Sequence, residues 1–392
     1  MCEKHAKAMG SWRANSPSWP SIAQSMRQLE ADGMDSRPPK GATLCIFDRQ
    51  EEFSMSTATI GLDIAKNAFQ IYGVDQHGKA TLQRKLRRAE VLRFFAKLPP
   101  CLVGIEACHS SHFWGRQLLR VGHNVRLIPT QYVKPFLVGG KNDANDAAAI
   151  CAAVRRADLR FVPVKTAEQQ SLQSLHRMRE RLIHERTAKS NQIRSMFAEE
   201  GLIFATGVVQ LRRGIAALIS DAASPITPIL RRLGRMYLDQ VDAVERWLDQ
   251  LNAQLQEIFA HSEDCQLLAS VPGIGPIVAT ALLATAPDPK QFKNGRQFAA
   301  WIGLTPRQRS SGGKSMLAGI TKHGDTYLRM MLVQGSRAVL RFLAKRNDRQ
   351  SRWLQRLLLR RHKNVVAIAL ANKIARICWT VLARRATYQA AP

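Results

Sequence analysis

The stretch Thr57-Ala58-Thr59-Ile60-Gly61-Leu62-Asp63-Ile64-Ala65-Lys66 decides the fold. Its short run from Ala58 to Asp63 predicts a strand, Ala68 to Val74 a second and Ala80 to Lys85 a third, with Asp75 to Gly78 offering the turn between the last two. Glu90 to Leu98 then predicts a helix, Leu102 to Glu106 a strand, Trp114 to Arg120 a helix and Asn124 to Ile128 a further strand. Strands interleaved with helices imply an α/β layer around a mixed sheet. Three meander strands ahead of the first helix point to an RNase H-like sheet and not a dinucleotide-binding one, for which the Gly-x-Gly-x-x-Gly fingerprint is also missing.

Carboxylates punctuate this half of the chain. Asp63 closes the first strand and Glu106 the fourth, so neighbouring strands can bring the two side chains together. Asp143 and Asp146 stand three apart at the start of an alanine-rich helix and project from one face. Taken singly, Asp143 reads equally well as a helix cap. Four converging carboxylates repel one another and raise each other's pKa, and a divalent cation is the natural neutraliser. All-oxygen ligands select magnesium or manganese, and a pair of such ions can clamp both oxygens of a displacement at phosphorus.

Composition narrows the class of partner. The 392 residues leave room for two or three domains, and a formal net charge of +28 calls for a polyanion. Nucleic acid fits better than a membrane surface, because the basic residues are spread along the whole chain with no amphipathic anchor at either terminus. Val365 to Ala383 is apolar but interrupted by Asn372, Lys373 and Arg376, so it reads as a buried helix and not a span. No export signal precedes the strands, and seven scattered cysteines without a Cys-x-x-Cys pair fit a reducing cytosol and exclude a structural zinc; a cytoplasmic, nucleoid-associated protein is expected. Residues 1–56 carry Ser16-Pro17, Trp19-Pro20 and Arg37-Pro38-Pro39 without an apolar period, and read as a disordered N-terminal extension, with Met55 as the expected true start.

Beyond an α/β domain over 57–165, the pattern turns helical. Thr166 to Glu200 lacks Pro and Gly and predicts one long helix. In a second long helix Tyr237, Val241, Val244, Leu248, Leu251, Leu255 and Ile258 alternate by four and three, a heptad seam for an antiparallel pair or an oligomeric coiled coil over 166–262. A helical C-terminal domain follows over 263–386, with a tail at 387–392. Its Val271-Pro272-Gly273-Ile274-Gly275-Pro276 opens a helix with a tight turn whose N–H groups can hold phosphate, as in a helix-hairpin-helix element. Arg349, Arg352, Arg356, Arg360, Arg361 and Lys363 make a cationic strip interleaved by Trp353.

Within that domain Thr305-Pro306-Arg307-Gln308-Arg309-Ser310-Ser311-Gly312-Gly313-Lys314 reads as a basic loop. Serine hydroxyls stand beside glycines that let the backbone approach a ligand, and Arg307, Arg309, Lys314 and Lys322 supply cations for phosphate. Gly313-Lys314-Ser315 imitates the end of a nucleotide-binding P-loop, but Gln308 sits where that motif needs its first glycine.

With these residues in hand, the chain from Thr57 to Arg384 resembles a DEDD transposase of the insertion-sequence 110 family, its 1111 subgroup. The resemblance rests on Gly61-Leu62-Asp63-Ile64-Ala65-Lys66, Gly104-Ile105-Glu106-Ala107-Cys108, Lys141-Asn142-Asp143-Ala144-Asn145-Asp146-Ala147, Val271-Pro272-Gly273-Ile274-Gly275 and the serine stretch. It implies a RuvC-like N-terminal domain, a coiled-coil insertion and a C-terminal domain with a nucleophilic serine. It further implies Asp63, Glu106, Asp143 and Asp146 as catalytic metal ligands for magnesium or manganese, and Ser311, chosen over adjacent Ser310 by the family's Ser-Gly pairing, as nucleophile. DNA as substrate, a guide RNA encoded by the element and homo-oligomers, dimeric or tetrameric, are implied as well. The activity implied is an RNA-guided recombinase that moves an insertion element through a serine-linked DNA intermediate. Two alternatives stay open at this point: a metal-dependent junction nuclease without a covalent intermediate, and a nucleic-acid-binding protein without activity.

Overall fold

The structure, a computed structural model, describes residues 57–139, 142–286, 288–311 and 314–389; the N-terminal extension and Gly312-Gly313 lie outside the described residues. Strand β1 (Thr59–Ile64) buries Thr59 to Leu62 without alternation, the mark of a central strand covered on both faces. β2 (Ala68–Val74) and β3 (Ala80–Arg87) extend from it as an antiparallel meander, while β4 (Leu102–Glu106) and β5 (Asn124–Ile128) add to its other side in parallel. The resulting order is β3-β2-β1-β4-β5. The edge strand β3 exposes Gln83, Arg84 and Lys85, a charged rim that discourages pairing with another chain.

Alternation along β1 sorts its side chains onto two layers. Ile60 and Leu62 face a core shared with α1 (Val91–Phe95) and α2 (Ser111–Arg120), where Phe69, Phe95, Trp114 and Leu118 are buried. Gly61 and Asp63 face the opposite layer, beneath α4 (Asp143–Val154); α3 (Thr130–Val133) packs on that helix. Gly61 and Gly104 are register partners on β1 and β4, and α4 lies directly against both. A Cβ on Gly61 would sit 2.1 Å from the carbonyl oxygen of Ala147 and 2.5 Å from the nitrogen of Cys151; on Gly104 it would meet the Val154 side chain at 2.7 Å.

Three helices follow. α5 (Ala167–Ala198) opens with a full capping box, Thr166 accepting from Gln169 N–H while the Gln169 side chain accepts from Thr166 N–H. α7 (Pro228–His261) runs back along it: Arg186 pairs with Glu245, Lys189 with Gln240, Ser190 with Tyr237 and Arg179 with Asn252, numbers that fall on one side as they rise on the other. The heptad seam therefore closes inside the chain, with Tyr237, Val241, Val244, Leu248 and Leu255 buried. The sequence had not indicated α6 (Val208–Ser220), whose Leu211 and Ile215 complete a small core with Phe197, Tyr237 and Val241.

The C-terminal region is mainly helical, as expected, but the reading of its serine stretch as a loop needs correcting. Helices α8 (Glu263–Ala269), α9 (Pro276–Thr285), α10 (Gly295–Trp301), α11 (Thr326–Arg341), α12 (Arg349–Leu358) and α13 (Lys363–Arg384) surround one large core, but the serine stretch is a β-hairpin. Its strands are β6 (Pro306–Ser311) and β7 (Lys314–Ile320). Helix α13 is long and apolar enough to cross a membrane by length and composition alone, yet Val366, Leu370, Ile374, Cys378 and Val381 are buried in this core. Of the two turn glycines between α8 and α9, Gly273 (φ 93°) packs against Gly335 of α11, where a Cβ on Gly335 would lie 2.1 Å from the Gly273 carbonyl; Gly275 faces open space.

A buried histidine joins the long helix to this core. His176 of α5 lies 3.0 Å from the Tyr327 hydroxyl through Nδ1 and 3.1 Å from Thr280 Oγ1 through Nε2. Because the Thr280 hydroxyl donates to Pro276 O at 2.7 Å, Nε2 carries the proton and Nδ1 accepts from Tyr327. Burial, with Arg179 nearby, lowers the His176 pKa to about 4.

Two expectations follow. Gly61→Ala and Gly104→Ala should each destabilise the chain by roughly 1–3 kcal/mol, since the backbone atoms of α4 at Gly61 and the Val154 Cβ at Gly104 can move aside only with the helix; urea midpoints at unchanged slope measure both. For His176, the unfolded chain binds the extra proton between pH 6.5 and about 4, so this contribution is present above that window and is lost as pH falls through it. The stability difference between wild type and His176→Gln should shrink as pH falls across this range, a comparison in which His112 and Asp63 cancel.

Candidate active site

Each strand carries its carboxylate two residues beyond its glycine, on the same face: Gly61 with Asp63, Gly104 with Glu106. Helix α4 runs antiparallel to β1, its Cys151 thiol reaching Thr59 O and its first turn arriving where the strands end. Asp143, Ala147 and Cys151 form one row along the helix, so the contact at Gly61 that fixes Ala147 and Cys151 also sets where Asp143 stands. The N-cap is Asn142, whose side chain accepts from Ala144 N–H at 3.1 Å; Asp143 is thus released from the capping role that its sequence position allowed.

Asp63, Asp143 and Asp146 can each offer a carboxylate oxygen within 4.8 Å of the other two. Asp63 and Asp146 are half-buried and Asp143 is exposed. Glu106, the fourth acid expected at the site, is half-buried at the end of β4 and stands outside this close group. Its charge still reaches Asp63. Burial first, then Asp146, Asp143 and Glu106, raise the Asp63 pKa to about 6. The N-terminal end of α4 offsets part of that repulsion. Three oxygen donors within 4.8 Å of one another form a set that a hard divalent ion completes.

The hairpin holds the remaining expected residues. Arg307, Arg309 and Ser310 are exposed on β6, and the Gln308 amide donates to Ser310 Oγ at 2.9 Å. Ser311 is the last residue of β6 and Lys314 the first of β7, paired across the hairpin; their side chains lie outside the described residues. Lys322 follows β7 with a left-handed backbone (φ 58°) and an exposed side chain. The base of the hairpin is clamped by buried Arg329, which donates to Ile302 O at 2.9 Å, His323 O at 2.8 Å and Thr326 Oγ1 at 3.1 Å. Gly303 and Gly324 permit this closure, since a Cβ at either would overlap a backbone oxygen, of His323 or of Trp301. Neither the clamp nor the glycine pair under α4 was read from the sequence. The spacing Gly61-x-Asp63 and Gly104-x-Glu106 was the available signal for the second.

Comparison with known proteins agrees with the motifs. A DEDD transposase family model matches residues 60–200, and the model of the transposase IS116/IS110/IS902 family matches residues 265–353. A probable family 20 transposase of Pseudomonas aeruginosa is 49% identical over 86% of this chain and 99% of its own length. The transposase for insertion sequence element IS1111A of Coxiella burnetii is 38% identical over 88% of this chain and 95% of its own. That for IS1328 of Yersinia enterocolitica is 39% identical over 82% and 96% respectively. On these matches the chain belongs to the IS110/IS116/IS902 family of DEDD transposases, enzymes that act on DNA.

Proposed function

We propose that this transposase excises and inserts an insertion element by metal-dependent strand cleavage and rejoining through a serine-linked DNA intermediate. The observation that carries the reading is the carboxylate group Asp63, Asp143 and Asp146 at the C-terminal ends of the parallel strands. A RuvC-like assignment of residues 57–165 is supported by the order β3-β2-β1-β4-β5, three strands antiparallel and two parallel. The antiparallel α5–α7 pair supports a coiled-coil region over 166–262, and the α8–turn–α9 element supports a helix-hairpin-helix in the region 263–386.

In this reading Asp63, Asp143 and Asp146 hold magnesium or manganese, with Glu106 adding negative charge alongside. Bound there, the ion supplies Lewis-acid polarisation of a phosphate oxygen. The Ser311 hydroxyl releases its proton to water and its oxygen bonds to phosphorus, while the bond from phosphorus to the bridging deoxyribose oxygen breaks and that oxygen takes up a proton. The ester conserves the phosphodiester bond, so attack by a hydroxyl of a new strand rejoins DNA and frees the serine. Arg307, Arg309, Lys314 and Lys322 contact phosphate. The full reaction uses an element-encoded guide RNA and a homo-oligomer in the cytoplasm, at the nucleoid.

Two measurements test this. Magnesium should raise the melting temperature of the wild type, corresponding to about 2.7 kcal/mol when the ion stands at a hundred times its Kd, and Asp63→Asn or Asp146→Asn should remove the shift; an undiminished shift in both variants places the ion elsewhere. Incubation with element-end DNA should yield a denaturation-stable protein–DNA adduct that Ser311→Ala eliminates and Ser310→Ala retains, with cleavage by Asp143→Asn reduced on the order of a hundredfold or more. Cleavage that persists in Ser311→Ala without any adduct would identify water as the nucleophile and the protein as a junction nuclease.

A further inference from the structure

Between the hairpin and the last helix the chain leaves a cavity of about 1190 Å³. Its walls are apolar: Val365, Ile368, Ala369 and Ile377 from α13 on one side, Pro306 and Ile320 from the two hairpin strands on the other. Its rim is cationic. Arg296, Lys373, Arg376 and Arg384 line it, and no carboxylate does among the described residues. None of these four belongs to an ion pair among the described residues. Lys373 instead lies 4.9 Å above the ring of Trp353, and Tyr388 also lines the groove. The chain thus spends apolar surface and unpaired positive charge on the same groove, a combination that folding alone does not reward.

The chemistry that satisfies both is a chain of flat apolar groups bearing regularly spaced negative charges. A base pair inside a duplex cannot supply it, because its faces are covered by its neighbours and only phosphates and edges are presented. An unpaired strand can: its bases enter an apolar groove and its phosphates remain with Arg and Lys at the mouth. The size agrees, since sites for drug-sized molecules span about 300–1000 Å³ and this groove exceeds them, leaving room for more than one nucleotide.

We infer that this groove binds a short unpaired DNA segment a few nucleotides from the phosphate being exchanged, bases against α13 and phosphates on Arg296, Lys373, Arg376 and Arg384. The argument that the segment is DNA rests on the proposed reaction: β6 lends its first residue, Pro306, to the wall and ends at Ser311 about 16 Å further along, a few nucleotides of extended strand away, and strand exchange must open the duplex around the serine. The site deepens that reading, but the binding it predicts needs no serine chemistry.

Fluorescence anisotropy on full-length protein carrying Ser311→Ala tests it, with a labelled 12-nucleotide DNA strand, the matching duplex, the RNA of the same sequence and a poly-glutamate peptide. The single DNA strand should bind tightest. Filling the groove with Ala369→Trp, or reversing its rim with Arg376→Glu and Arg384→Glu, should weaken the strand at least tenfold while weakening the duplex less than threefold. The rim variants are exposed enough to fold if the bulky one does not, and unfolding curves check both. A 5-iodouracil strand should crosslink to a peptide containing Trp353 or Tyr388. Unchanged strand affinity in the folded rim variant overturns the inference. So does tighter binding of the RNA or the peptide lost in the same variants, which would assign the groove to that partner. A missing adduct with wild-type protein would instead count against Ser311 and leave this result standing.

Discussion

The structure depends on a helix lying on a sheet at backbone contact. Helix α4 reaches that distance because Gly61 and Gly104 sit side by side on parallel strands and offer no Cβ. A Cβ at either position would overlap the helix, so side chains there would hold α4, and the aspartates of its first turn, further from Asp63. Here the two glycines lower the helix, the antiparallel run brings its N-terminus to the ends of the strands, and Asp143 and Asp146 arrive beside Asp63. The packing term and the electrostatic term oppose each other. Apolar burial of Ile150, Ala153 and Val154 drives the helix down, while three carboxylates at its tip resist.

Charge is distributed to match. A chain with net charge +28 gathers three aspartates at one point, half-buries two of them and keeps arginine and lysine for the hairpin, α12 and the α13 groove. In the proposed reaction the acidic point holds a cation, the basic surfaces hold the polyanion, and a scissile phosphate belongs to both. Interactions between exposed charges fade beyond about 10 Å at ordinary salt, so the two regions act locally and not through a shared field.

Much of this was legible in the sequence, for identifiable reasons. β2, β4 and β5 occupy the predicted residues, because their apolar runs are bounded by turn residues on both sides. The long helices α5 and α7 follow from an absence of breakers and a clean heptad. The hairpin escaped because Arg307 to Ser311 is wholly polar, so no apolar alternation marks it; the Gly312-Gly313 pair between the two runs was the turn signal. The distance of Glu106 from the close group was equally unreadable, since strand register puts it beside Asp63 but cannot say how a glutamate's extra methylene directs its carboxylate. Gly273, read as a turn residue, is also where two backbones cross at Gly335, a relation between residues about sixty positions apart that no local pattern encodes.

The join between sheet and long helix has a mechanical meaning. Lys165 gives its N–H to His112 Nδ1 at 3.1 Å, takes a hydrogen bond from Arg116 on its carbonyl at 2.7 Å and sends its ammonium to Gln173 at 3.1 Å, just before the Thr166 capping box starts α5. A residue anchored at all three of its polar groups cannot act as a swivel. Helix α5 therefore leaves the α/β layer without a hinge and is gripped again by the C-terminal core at His176, so a rotation of the layer is passed to that core and to the paired helix as one rigid movement.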